Sequence, residues 1–100
     1  MKFEWDENKN WRNEEKHKVD FGEAKTIFDD PDAIELEASS SGEYRIIRIG
    51  KTATKFILLV VYTLRGLVVR LISARQANKD ERILYLEHKF KNHDDENSNG

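Results

Sequence analysis

The chain has no cysteine, a single proline and a single methionine among its 100 residues. Without cysteine there can be neither a disulfide framework nor a thiolate metal site, so the fold must be held by packing alone and redox chemistry at cysteine is excluded. No apolar run approaches the roughly 18 to 20 residues of a membrane span. The opening "MKFEWDENKN" turns acidic and polar where a signal peptide needs its apolar segment, so a cytoplasmic chain with no membrane association is expected. A phosphate loop of the G-x-x-x-x-G-K-[ST] type is missing, and Gly22, Gly42, Gly50 and Gly66 stand isolated at turns or a helix start. His17, His88 and His93 fall in no metal-ligand spacing, and no metal or other cofactor is expected.

What is present is charge, unevenly spread. The net charge of -2 divides into 6 Lys/Arg against 13 Asp/Glu over residues 1-43, 9 against 2 over 44-82, and 2 against 4 over 83-100, or -7, +7 and -2. The basic middle points either to an anionic partner or to pairing with the acidic part of the same fold.

With 38% hydrophobic residues, the length suits one small domain with one core. "KFEW" alternates as a short first strand, and Asp6 can cap an exposed helix through about Lys16. Asp20 and Glu23 have capping-box spacing ahead of a second, core-packed helix that ends before Pro31. "AIELEA" and "YRIIRIG" alternate as strands around the turn "SSSGE". "FILLVVYT" is apolar on both faces, like a central strand, and "LRG" makes a hairpin to "LVVRLISA". Asn78 and Glu81 open a terminal helix on which Ile83, Leu86 and Phe90 share one face. The expected architecture is α+β: a mostly antiparallel sheet, two N-terminal helices and one C-terminal helix over residues 1-91. Residues 92-100 are expected to form a polar, disordered tail.

Arg45, Arg48, Arg65, Arg70 and Arg75 all fall on the expected sheet or its hairpin. They suit either internal ion pairs or phosphate recognition by guanidinium forks. In a regular strand Arg70 and Arg75 would face opposite sides, unless a bulge brings Arg75 round. His17 suits a helix C-terminus, and histidine is the residue type best suited to proton transfer near neutral pH. Tyr62 reads first as a core aromatic with its hydroxyl satisfied at the sheet edge.

"FEWDENKN" at 3-10, "KHKVDFGEA" at 16-24, "FDDP" at 28-31, "IG" at 49-50, "VVYTLRG" at 60-66 and "VRLISARQANKDERILY" at 69-85 together resemble the BrnT family of ribonuclease toxins from bacterial type II toxin-antitoxin systems. The resemblance implies a RelE-like fold, RNA cleavage that inhibits translation, and neutralisation by a cognate BrnA-like antitoxin in a heterotetramer with two toxins. Operator DNA would be bound only through the antitoxin. Matched residue by residue, the resemblance implies Arg70, Arg75, His17 and Tyr62 as catalytic candidates. Arg45 and Arg65 follow as RNA-binding candidates, with Arg48, which has no counterpart in the motif, ranked below them. Ser73, Glu81, Arg82 and Tyr85 also fit the motifs. The alternative is a non-enzymatic or inactivated toxin-fold module that binds an antitoxin and contributes to promoter autoregulation.

Overall fold

The computed structural model describes residues 1–39 and 42–98. In chain order it contains β1 (Lys2–Glu4), α1 (Glu7–His17), α2 (Phe21–Ala24) continued by a 3-10 turn (Lys25–Asp29), β2 (Ile34–Glu37), β3 (Ile46–Lys51), β4 (Ile57–Arg65), β5 (Val68–Gln76) and α3 (Lys79–Ser98). The fold is α+β, with one five-stranded mixed sheet in the order β1-β5-β4-β3-β2. Among the described residues β1 and β5 pair in parallel and the other neighbours pair antiparallel. Two serines of the expected "SSSGE" turn, Ser40 and Ser41, lie outside the described residues, as do positions 99 and 100 of the expected tail.

Local chemistry sets several boundaries. Asp6 caps α1 by accepting from the Asn8 and Lys9 amides at 2.8 and 3.2 Å, and Lys18 ends the helix in the left-handed region at φ 60°. The β4–β5 hairpin turns through Gly66 and Leu67, with Gly66 at φ +61° as the first turn residue, a conformation glycine adopts without steric cost. The capping box expected at Asp20 does not form: Asp20 makes no side-chain cap, and its Oδ1 instead accepts from Asn10 Nδ2 at 2.9 Å. After one α turn the segment tightens to 3-10.

The sheet has two unlike faces. On one, Phe21, Ala24 and Ile27 from α2 and the 3-10 turn pack over Ile46, Leu58, Val60, Tyr62, Val69 and Leu71. Phe21, Ile27 and Leu71 are essentially fully buried, each worth about 1.5 to 3 kcal/mol of transfer free energy. Gly50 lets the 3-10 turn approach, since a Cβ there would stand 3.1 Å from the Cβ atoms of Ala33 and Ile27. On the other face a smaller cluster gathers Ile49 and Leu59 under Tyr85 of α3.

Beyond β1, the outer side of β5 is met by a side chain. Asn13 of α1 accepts from the Ala74 amide at 3.0 Å and donates to the carbonyls of Ala74 at 2.7 Å and Val19 at 2.9 Å. Its carboxamide acts as the missing strand's peptide group, and all of this is buried.

The terminal helix starts as expected and runs farther than expected. The capping box at its start does form: Glu81 N–H donates to Asn78 Oδ1 at 2.9 Å, and Asn78 N–H donates to Glu81 Oε1 at 2.8 Å. The face shared by Ile83, Leu86 and Phe90 is exposed, Phe90 at 67%, and fully buried Tyr85 anchors the helix. Tyr85 donates its hydroxyl to Asp30 at 2.6 Å. The helix also continues to Ser98, across the segment expected as a tail, with Lys89 and His93 both reaching Asp32.

Candidate active site

The decisive geometry is a register shift in β5. Val61 opposes Ser73, but its neighbour Tyr62 opposes Leu71, so Ile72 is an extra residue, a bulge. The bulge resets the alternation. Arg70 opposes Thr63, Ser73 opposes Val61 and Arg75 opposes Leu59, so all three sit on the same face as the alternating set Leu59, Val61, Thr63 of β4. Arg70 and Arg75, which a regular strand would separate, share one side of the sheet. Leu71 and Ala74 turn to the core on the other.

On that shared side a cavity of about 410 Å³ is lined by His17, Leu59, Val61, Ser73, Arg75 and Glu81, among others. Its floor is apolar and its rim carries an imidazole, a hydroxyl, a guanidinium and a carboxylate. His17 reaches it as the last residue of α1, half-buried.

Arg75 is held end-on by Glu81, with Nη1 to Oε1 and Nη2 to Oε2 both at 2.8 Å, and Nη1 also donates to the Gln76 carbonyl at 3.2 Å. The hydrogen bonds from Arg75 hold the Glu81 carboxyl below its ordinary range, and those to Glu81 raise the Arg75 guanidinium above its own. A guanidinium has five N–H donors. Three are spent here, which leaves the Nε–H and one Nη2–H, the side-on fork, without an acceptor among the described residues. Arg70 is held more loosely, 3.6 Å from Glu4.

The other candidates are distributed differently. Arg65 ends β4 on the same parity as Thr63 and Val61, exposed at the hairpin. Arg45 lies just before β3 rather than opening it, and pairs with Glu43 at 3.0 Å. Arg48 and Tyr62 are on the opposite face, opposing and beside core residues. Arg48 lies 5.0 Å over the Phe28 ring and bonds Glu35 at 3.1 Å, so it binds the 3-10 turn and β2 to the sheet. Tyr62 is 5% exposed and donates its hydroxyl to Glu35; burial and then that bond push its pKa up. The structure therefore brings His17 and Arg75 to one cavity, sets Arg70 farther along the same face outside its lining, and leaves Tyr62 on the other side of the sheet.

Three cations that the apolar pattern passes over also belong to the neighbourhood. Lys9, Arg12 and Lys16 of α1 line a shallow hollow of about 200 Å³ with Asn13, Ile72 and His17. Their spacing of three and four residues is the signal that places them on one helix face. Among the described residues, no three His, Cys, Asp or Glu side chains gather as a metal site.

Residues 5–81 match the family described as the ribonuclease toxin BrnT of type II toxin-antitoxin systems. The chain belongs to the BrnT family. Its fold is similar to that of the Brucella abortus ribonuclease toxin BrnT, known from a crystal structure, with a TM-score of 0.60 and 26% identity over 79% of this chain and 99% of that one. No curated protein matches it. The family match ends at Glu81, so it takes in the groove and the capping box of α3 but not the rest of that helix. No helix among the described residues is long and apolar enough to cross a membrane.

Proposed function

We propose that this BrnT-family chain is a metal-independent endoribonuclease that arrests translation in the cytoplasm and is neutralised by a BrnA-like antitoxin, in a heterotetramer containing two toxins. Operator DNA is then met only through the antitoxin. The observation that carries this reading is that Arg70, Ser73 and Arg75 share one sheet face, where Ser73 and Arg75 line a cavity with His17.

The chemistry that suits these groups is internal transfer. The ribose 2′-oxygen attacks the adjacent phosphorus, the P–O5′ bond breaks, and a 2′,3′-cyclic phosphate and a free 5′-hydroxyl result. The unspent fork of Arg75 is shaped for two phosphate oxygens, and Arg70 adds a second cation on the same side. Together they stabilise the charge that builds on the phosphorane. His17 handles a proton, from the 2′-hydroxyl or to the leaving oxygen. Ser73 can donate to a phosphate oxygen, and Leu59 and Val61 form the apolar floor beneath these groups.

The Arg75–Glu81 pair also favours a second reading, an inactivated toxin-fold module whose basic sheet holds an antitoxin. Inducing the chain with and without the adjacent open reading frame separates the two. The nuclease reading expects reversible growth arrest relieved by the neighbouring gene, and RNA ends that kinase labels without prior phosphatase. Cleavage should persist in EDTA. Unimpaired growth at confirmed soluble expression favours the module, and activity lost in EDTA but restored by Mg²⁺ overturns the mechanism.

A further inference from the structure

We propose that the basic face of α1 carries the RNA strand away from the groove, so that Lys9, Arg12 and Lys16 bind phosphates flanking the scissile one. The inference rests on the nuclease reading above and names where its substrate runs. Helical geometry puts the three cations on one face, while Glu7, Trp11, Glu14 and Glu15 turn to the other. The two faces lead to different places: Trp11, Glu14 and Glu15 border a separate hollow. The cationic face instead meets β5 at the bulge residue Ile72.

Continuity with the groove comes from His17, which lines both the cationic hollow and the cavity of Arg75. A strand held at Arg75 would leave past His17 onto Lys16, then Arg12 and Lys9. Lys9 to Lys16 spans about 10 Å along the helix, enough to meet successive phosphates of one strand. None of the three cations makes an ion pair with a described residue: Arg12 donates Nε only to its own helix, at the Asn8 carbonyl, and Asp6, whose Oδ1 accepts two amides, meets Lys9 and Arg12 only through the longer-range attraction of their charges. The whole chain carries -2, so a positive track on α1 has to come from this segregation rather than from net charge.

The test uses the full chain and a fluorescein-labelled single-stranded RNA of about twelve nucleotides with every 2′-oxygen methylated, so that binding is read without cleavage. Affinity is measured across a salt series for the native chain and for a triple variant, Lys9→Gln, Arg12→Gln and Lys16→Gln. A control triple neutralises three exposed lysines elsewhere: Lys2→Gln, Lys25→Gln and Lys91→Gln. Each lost phosphate contact lowers the salt slope by about 0.7 on a single strand. The α1 variant should therefore lose about 2 units of slope while the control keeps the native value. With unmodified RNA, the α1 variant should raise KM and leave kcat within about twofold. A charge-keeping triple, Lys9→Arg, Arg12→Lys and Lys16→Arg, should restore the slope and shows that loss of fold is not the cause.

Equal slopes for the native chain and the α1 variant overturn the track, as do equal losses in the α1 variant and the control. Native RNA binding with lost neutralisation by the antitoxin assigns the face to the protein partner and also overturns it. Failure of the native chain to cleave unmodified RNA, with the slope difference intact, counts against the nuclease reading alone and leaves the track standing.

Discussion

Arg75 and Glu81 meet end-on through two parallel hydrogen bonds of 2.8 Å, and the same Glu81 carboxylate accepts the amide that starts α3. One carboxylate thus ties the rim of the groove to the helix that covers its neighbour. Arg75→Lys keeps the charge but loses the fork, so cleavage should fall about 10²-fold, near 2.7 kcal/mol of transition-state stabilisation. The pair is partly exposed, at 40% and 20% for the two side chains. Arg75→Ala should therefore cost no more than about 1 kcal/mol of stability after solvent screening. Thermal unfolding beside single-turnover cleavage checks both, and a larger stability loss with normal cleavage would make the pair purely structural.

His17 and Tyr62, both candidates for proton transfer, now separate. His17→Ala should lower cleavage by about 10² to 10⁴-fold with little change in melting temperature. Tyr62→Phe, on the opposite face, should leave cleavage within about twofold and cost about 1 kcal/mol through the lost Glu35 bond. Inactive but stable Tyr62→Phe protein would return Tyr62 to the site.

Asn13 supports a stability prediction without chemistry. Asn13→Ala leaves the buried Ala74 amide and two carbonyls without partners, at about 1 to 3 kcal/mol for an orphaned group. Asn13→Asp should be as damaging or worse, because a carboxylate cannot donate to the two carbonyls. Denaturant melts in which Asn13→Asp matches the native chain would contradict this account.

The pH dependence follows from groups with opposite signs. Partial burial acts to raise Asp30, but bonds from the Tyr85 hydroxyl and the Lys51 and Asp32 amides prevail and hold it below its ordinary 3.8. Glu81 is held below its ordinary 4.5 by Arg75. Their contributions are complete above those values and are lost as pH falls through the depressed ones. Burial, then the bond to Asp30, raises Tyr85 above its ordinary 10.0, so its contribution is complete below that value and lost as pH rises through the folded pKa. Tyr85→Phe should lower stability near neutrality and flatten the alkaline limb of the melting profile. An unchanged alkaline limb would remove Tyr85 as its source.

What the sequence made legible was local. The Asn78–Glu81 box, the Asp6 cap and the Gly66 hairpin each depend on residues within a few positions of one another. The same capping-box spacing at Asp20 failed because Asn10, ten residues earlier, draws the carboxylate away, and a local pattern cannot register that competitor. The Ile72 bulge is silent for a related reason: it lies in a run of β-formers, where one extra residue changes facing but not composition. Helical spacing linked Ile83, Leu86 and Phe90, yet the helix is fastened by Tyr85, whose partner Asp30 stands 55 residues away. The face of the cluster at Arg70 and Arg75 was therefore open in the sequence and decided only by pairing.

The Asn13 carboxamide has one more effect, on how the sheet can meet other chains. A strand edge with free amides and carbonyls is a template for an incoming strand, and proteins guard such edges. Here β1 covers the first part of β5 with three residues, and Asn13 occupies both polar groups of Ala74 further along. The opposite edge, β2, is four residues long and carries Glu35 and Glu37. Neither border offers a long run for β-augmentation. Strand-by-strand association, including the first step of fibril growth, meets two short and guarded margins.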